Sequence, residues 1–338
     1  MAPHEQARIA DQLHITDPNS TRRDSGLAID VAVGLGASIK RLPSRYFYDD
    51  KGSVLFQRIM ALPEYYLTRV EREILVERGD AIVAYLADGG AALDLIELGS
   101  GDGDKTIELC RAAMRAPITA VYYPIDVSGH ALGELQARFD AGLPGMPVVP
   151  IHGDYFEHWP RTRDGGRQIV MFFGSNLGNL CFKESVALLC SIRARLSPGD
   201  VLLLGVDMQK DPKTILAAYN DRQGVTAEFN MNLLTRLNRE LDMDFDLLSF
   251  SHYATYDPLS GTARSFLVSG RRQSVHSRCL GRTFEFEEGE TIYVEQSQKY
   301  TREMIKDLAK ASGFQVDRHF SDARNWYEIA ALRFAPEQ

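Results

Sequence analysis

Residues Leu93–Thr106 read LDLIELGSGDGDKT, and the fold turns on this stretch. The run Leu93–Ile96 reaches Glu97 and then opens into Gly99, Gly101 and Gly103. A short apolar run bounded by turn signals predicts a buried parallel strand. A helix-forming stretch follows from Lys105. Glycines after such a strand let the backbone turn tightly and approach a ligand closely. The amides of the loop and of the next helix's first turn then face that ligand. The pattern is that of a nucleotide-type site at the carboxyl end of a first strand in an open α/β sheet.

The glycine spacing narrows the ligand. Dinucleotide enzymes use G-x-G-x-x-G, whose third glycine packs helix against strand. Here the spacing is G-x-G-x-G, and Asp104 stands where that third glycine belongs. The phosphate-loop frame G-x-x-x-x-G-K-[ST] fails too, because Lys105-Thr106 follows Asp104. Glu97, just ahead of the loop, would repel a pyrophosphate and suit a cationic or hydroxyl-bearing ligand. S-adenosylmethionine offers a sulfonium, an ammonium and a ribose diol without phosphate, and is the cofactor expected.

Composition agrees with that choice. At 338 residues the chain can form one large domain or two moderate ones. Its 44% apolar and 25% charged residues are ordinary for a globular protein, and its net charge of −8 argues against a nucleic-acid partner. No apolar stretch approaches the roughly 20 residues of a membrane helix, so no membrane partner is expected. The opening MAPHEQARIADQLHITD has no apolar core of a secretory signal. The four cysteines lack CxxC pairing and the eight histidines lack metal-ligand spacing, so no metal is expected. The thiols read as reduced core residues of a cytoplasmic protein. Asn19-Ser20-Thr21 matches a glycosylation sequon that has no use without export.

Outward from the glycine loop the chain alternates. Upstream, residues 45–75 are dense in tyrosine, with Tyr46, Tyr48, Tyr65 and Tyr66. Thr68 with Glu71 predicts a capping box that starts a helix to about Tyr85, with Val70, Ile74, Ile82 and Leu86 near one face. Downstream, a second strand ITAVYYPID ends at Asp126, about 20–30 residues past the glycines, placed to accept from a ribose diol. A helix from Ser128 and a short strand PVVPI lead to HGDYF. There Asp154 can accept from an adenine amino group while Tyr155 lies along the ring. A fourth strand, QIVMFF, runs into GSNLGNL at 174–180, whose useful polar group is Asn179. That stretch is not the G-x-S-x-G elbow, which rules out a serine hydrolase. After strand VLLLGV the rhythm breaks into two helices over 211–241 and alternating strands over 245–297, then returns after Thr301 to complete the sheet. The break predicts an inserted α+β unit. Within it, Glu295 and Ser297 lie two apart on one strand, a carboxylate and a hydroxyl able to hold the two nitrogens of an imidazole. Tyr219 ends a helix.

From about Leu42 to Phe334 the sequence resembles the S-adenosylmethionine-dependent L-histidine Nα-methyltransferases of ergothioneine biosynthesis. The resemblance rests on YFYDDKGSVLF, LPEYYLTR, IELGSGDGDKT, GSNLGNL, AAYNDRQGVTAEFN, LNRELDMDFDL and VEQSQKY. It implies a Rossmann-like class I methyltransferase domain, residues 69–209 and 299–338. It also implies an α+β substrate-binding domain, residues 1–68 and 210–298. Carried over by position, Gly99, Lys105, Asp126, Asp154 and Tyr155 match cofactor contacts. Asn179 and Tyr219 match the pair holding the substrate carboxylate, Tyr48 and Tyr65 the tyrosines on the amine side, and Glu295 with Ser297 the imidazole-binding pair. The implied reaction methylates the α-amine of L-histidine in three rounds to hercynine; separately from the resemblance, a monomer is expected. The chain departs from the family in its acidic loop, in Asn176 for a usual Thr, and in Ser265 for a Met near the imidazole, which bears on histidine specificity. Two other readings remain open: a methyltransferase of this fold for another amine, and a non-catalytic S-adenosylmethionine-binding protein.

Overall fold

A computed structural model describes residues 22–88 and 92–334; the sequon and the polar N-terminal stretch lie outside the described residues. In chain order, α1 (Arg22–Leu35) and α2 (Asp50–Met60) precede α3 (Leu67–Leu86). Then come β1 (Ala92–Leu98), α4 (Thr106–Arg115), β2 (Thr119–Asp126), α5 (Gly129–Gly142), β3 (Ile151–His152), β4 (Arg167–Phe172), α6 (Phe182–Arg193) and β5 (Val201–Asp207). The middle holds α7 (Pro212–Tyr219), α8 (Val225–Glu240), β6 (Phe250–Asp257), β7 (Thr262–Ser269), β8 (Gln273–Ser277), β9 (Arg282–Phe286) and β10 (Thr291–Gln298). The chain finishes with α9 (Arg302–Ala311), β11 (Phe314–Ser321) and β12 (Tyr327–Phe334). Two compact units result: residues 66–210 with 297–338, and residues 1–65 with 211–296.

The first unit is α/β and Rossmann-like. Its seven-stranded sheet has the order β11-β12-β5-β4-β1-β2-β3. β1 pairs in parallel with both β2 and β4, whereas β12 is antiparallel to β5 and to β11. Leu93, Leu95, Ile96 and Leu98 are wholly buried, as a strand covered on both faces requires. Strand order reverses at β1 and β4, which creates the crevice beyond their carboxyl ends where such sheets bind ligands.

The second unit is α+β. Its three-stranded sheet, β10-β7-β6, carries α7 and α8 against β6 and β7, and β8 and β9 form a separate hairpin. Along β7 burial alternates from Ala263 to Ser269, the period-2 pattern of a half-covered sheet.

Three local expectations change. Thr68 does not cap α3, which begins one residue earlier with no side-chain cap; Glu71 is wholly buried and bonds elsewhere. The strand read in PVVPI is confined to Ile151–His152, with only a lone bridge between Val148 and Tyr122, because two prolines remove donors there. Of the cysteines only Cys110 is in the core; Cys181, Cys190 and Cys279 are exposed. Among the described residues no helix is long and apolar enough to cross a membrane, and no His, Cys, Asp and Glu group could hold a metal ion.

Candidate functional site

In the α/β unit the glycine loop is shaped by β2. The amides of Gly99 and Ser100 donate to the Ile125 carbonyl at 2.9 and 3.2 Å, and the Gly101 amide donates to Asp126 Oδ2 at 2.9 Å. Gly99 has φ +72°, and a Cβ there would meet nothing nearer than Asn176 Nδ2 at 4.0 Å, so the position is open to a ligand. Gly103 serves packing: a Cβ would lie 2.8 Å from Leu135 Cγ and 3.1 Å from Phe139 Cε2 on α5. Asp126 also accepts from the Ser128 amide at 2.8 Å, so its carboxylate ties the loop to the start of α5.

The acidic loop is internally balanced. Arg138 on α5 pairs with Asp102 at 2.8 Å and Asp104 at 3.1 Å, which turns both carboxylates toward a guanidinium. Glu97 is not a ligand-facing group. It is buried, accepting from Thr106 Oγ1 at 2.7 Å and from the Tyr122 hydroxyl. Burial pushes its carboxyl up to about 7 against those two hydrogen bonds. Lys105 pairs with Glu71, which also accepts from the Gly174 amide at 2.9 Å and the Tyr327 hydroxyl at 2.7 Å. Glu71 thereby links Lys105 to the loop after β4, a connection the capping-box reading concealed.

At the end of β3, the Gly153 amide donates to the Asp126 carbonyl at 2.9 Å. Asp154 is exposed and accepts from the Phe156 amide at 2.7 Å. Tyr155 is half-buried against Phe156 and Phe172, and burial, then Asp154, pushes its hydroxyl up to about 12. After β4, Ser175 adopts φ +56°, an uncommon conformation for a residue with a Cβ. Its Oγ accepts from the Asp207 amide at 3.1 Å. The turn Asn176–Asn179 follows, with Asn176 exposed and Asn179 half-buried. Within that turn a Cβ on Gly178 would sit 2.8 Å from the Gln298 carbonyl oxygen and 3.5 Å from Ser297 Oγ. The backbone beside Asn179 is therefore pressed against the end of β10 that carries Ser297.

In the α+β unit, Tyr48, Tyr65, Tyr219 and Glu295 are the sites read from sequence. Tyr48 stands at the entrance to α2. The following Asp49 caps that helix, accepting from the Gly52 amide at 2.8 Å, and is itself held by Asn232 at 2.8 Å and Arg239 at 2.7 Å on α8. Tyr48 exposes 45% of its surface; burial of the part that faces the protein first, then Glu295 and Tyr219, push its ionisation upward. Three residues far apart in sequence are thus electrostatic neighbours. Phe56 and Phe229, which the sequence reading passed over, complete the cluster. Phe56 lies 5.5 Å from Tyr48 and 6.1 Å from Tyr65, and Phe229 lies 5.7 Å from Tyr48. Both phenylalanines stand inside quoted motifs, but nothing in their spacing tells an aromatic wall from ordinary core. Ser265 is buried on β7 opposite Ala254, and its Oγ has no partner among the described residues.

A family model described as histidine-specific, S-adenosylmethionine-dependent methyltransferase matches residues 27–334. The chain is 39% identical to histidine N-alpha-methyltransferase of Mycolicibacterium smegmatis over 83% of its length and 87% of that protein's. It is 35% identical to the enzyme of that name from Mycobacterium tuberculosis, covering 92% and 96%. It is 30% identical to N-methyltransferase fsqC of Aspergillus fumigatus, covering 86% and 79%. The glycine loop free of a phosphate motif, the acid ending β2 and these matches agree: the chain belongs to the histidine-specific, S-adenosylmethionine-dependent methyltransferase family.

Proposed function

We propose that the protein transfers methyl groups from S-adenosylmethionine to the α-amine of L-histidine, in three rounds to the betaine hercynine. The observation that carries this reading is the match to the histidine-specific family over residues 27–334, supported by Tyr48, Glu295 and Tyr219 lying near enough in the α+β unit to affect one another's charge. A free amino acid needs groups for its amine, its carboxylate and its side chain, and these three residue types supply them. The domain assignment follows: the α/β unit takes the cofactor and the α+β unit carries most of the substrate contacts.

The residues fit S-adenosylmethionine. Gly99 and Gly101 leave open space where a Cβ would stand, and Asp126 presents a carboxylate beside them. Gly99, Lys105 and Asp126 hold the amino-acid and ribose portions, with Asp154 and Tyr155 at the adenine. When bound, the cofactor supplies an electrophilic methyl on sulfur. The chain contributes chiefly orientation, an effect worth up to roughly 7–11 kcal/mol in well-aligned systems. Asn179 and Tyr219 take the carboxylate. Tyr48, whose raised ionisation keeps it a neutral phenol, orients the amine lone pair together with Tyr65 and does not remove its proton.

Purified protein incubated with S-adenosylmethionine and a panel of amino acids tests the reading by mass spectrometry. Histidine gaining one, two and then three methyl groups is the expected product series. A second reading, methylation of a different amino acid or small amine, is favoured by one observation: the buried, unpartnered Ser265 hydroxyl can serve a larger or more polar side chain. A different panel member methylated faster than histidine would establish it.

A further inference from the structure

Most of the donors in the glycine loop are spent inside the protein. The amides of Gly99 and Ser100 go to the Ile125 carbonyl, and that of Gly101 goes to Asp126. The Gly103 amide donates to the Ser100 carbonyl and the Asp104 amide to Asp102 Oδ1, both at 3.3 Å. Each amide has a single proton, so these groups shape the loop instead of facing a ligand, as the sequence led us to expect of them. Lys105 is engaged as well, by the wholly buried Glu71, so its charge is balanced before any ligand arrives. S-adenosylmethionine nevertheless brings a carboxylate, and a carboxylate drawn out of water without donors is costly.

A donor stands at the neighbouring strand tip. After β4, Gly174 and Ser175 take left-handed backbones, φ +77° and +56°, and the chain doubles back so that the Asn176 side chain lies across Gly174. A Cβ on Gly174 would be 3.4 Å from Asn176 Nδ2 and 3.6 Å from its Oδ1. The turn is held in place: the Gly174 amide donates to Glu71 at 2.9 Å, and Ser175 Oγ accepts from the Asp207 amide at 3.1 Å. Asn176 itself is exposed. Its Nδ2 lies 4.0 Å from where a Gly99 Cβ would stand, while its Oδ1 lies beyond 4 Å. The nitrogen end of the amide therefore faces the open space over Gly99.

We propose that Asn176 is a cofactor-binding residue whose side-chain amide donates to the α-carboxylate of S-adenosylmethionine. An amide N–H requires an acceptor. The sulfonium and the α-ammonium are cations and offer none. The ribose hydroxyls stand at Asp126 and the adenine at Asp154 and Tyr155, which leaves the carboxylate. A hydrogen bond to a charged acceptor is among the stronger ones, so this contact is large enough to measure by itself. The inference rests on the reading that Gly99 borders the amino-acid end of the cofactor.

The test titrates the full chain calorimetrically with S-adenosylhomocysteine and two analogues, one lacking the carboxylate and one lacking the ammonium. Asn176→Ala is expected to weaken S-adenosylhomocysteine and the deamino analogue about tenfold each, the size of one hydrogen bond to a charged group. The decarboxy analogue should change by less than about twofold. Asn176→Asp, of the same shape but bearing a carboxylate, should weaken S-adenosylhomocysteine further than Asn176→Ala does and leave the decarboxy analogue bound at least as tightly as in the wild type. Thermal melting confirms that the variants are folded. Equal losses for all three ligands assign Asn176 to shaping the loop and overturn the contact. A loss confined to S-adenosylhomocysteine and the decarboxy analogue overturns the choice of the carboxylate. Affinities unchanged for all three remove Asn176 from the site. Gly99→Ala tests the reading underneath: if it binds S-adenosylhomocysteine as the wild type does, the cofactor does not lie over Gly99, whereas weakened binding there with Asn176→Ala unaffected overturns the role of Asn176 alone.

Discussion

Tyr48 shows how a residue's chemistry is set by what surrounds it. Burial first, then Glu295 and Tyr219, raise its ionisation, so the proposed role is that of a neutral phenol rather than of a base. Tyr48→Phe retains the aromatic packing against Phe56 and Phe229 and loses only that hydroxyl. It should lower kcat about tenfold while cofactor affinity stays unchanged, as steady-state kinetics and a separate cofactor titration would show. Glu295→Ala should act differently. It leaves a polar edge of the ligand unpaired, weakening histidine binding by about 1–3 kcal/mol in calorimetry. A histidine affinity equal to wild type would remove Glu295 from substrate recognition.

At the scale of elements, the glycine loop and the loop after β4 are held by side chains from other elements, Arg138 on α5 and Glu71 on α3. Gly103→Ala combines a left-handed backbone at φ +69° with a clash against Leu135 and Phe139 on α5. It is expected to cost about 1–3 kcal/mol in denaturant unfolding, through overpacking and backbone strain. Gly101 shares the left-handed conformation, but an added Cβ meets nothing within 4 Å, so Gly101→Ala should cost less stability than Gly103→Ala. The opposite ordering would mean that the loop does not pack on α5 as described. Asp49 plays the equivalent part in the other unit. Removing its cap on α2 costs about 0.5–2 kcal/mol by that interaction alone. Asp49→Ala also releases Asn232 and Arg239 on α8, so it should raise KM for histidine through the displaced Tyr48 without altering the cofactor's affinity.

Across the whole molecule, a buried and a half-buried group give opposite responses to pH. Glu97 in the α/β unit is pushed from 4.5 to about 7, so the folded state holds its proton more firmly than the unfolded chain. Its contribution is complete below pH 4.5 and lost as pH rises through about 7, a change of roughly 3 kcal/mol at most. His252 on β6 of the α+β unit is lowered from 6.5 to about 4 by burial, partly offset by Asp221. Its contribution is present above pH 6.5 and lost as pH falls through about 4. Amide exchange, corrected for intrinsic rates, should therefore show β6 losing protection on acidification. The β1 amides should lose protection between pH 5 and 8, and Glu97→Gln should abolish that trend. Matching pH trends in the two strands would overturn the assignment whose direction they do not follow.

The alternating α/β rhythm, the inserted unit and the phosphate-free glycine loop were all legible in the chain, because each depends on local periodicity or on backbone freedom at a few positions. Leu93–Thr106 needed no neighbour to announce a strand, a tight turn and a helix. The partners of charged residues were not legible in that way. Glu97 looked like a ligand group and is a buried staple to Thr106 and Tyr122; Glu71 looked like a cap and holds Lys105 and Gly174. The isolated motif VEQSQKY gives no hint that Lys299 reaches back to Asp207, ninety-two positions earlier on β5 (299 less 207). A carboxylate's role depends on which cation or amide lies within hydrogen-bond reach and on how much water is excluded. Both are properties of chain segments brought together by folding, so only the tertiary structure could decide them.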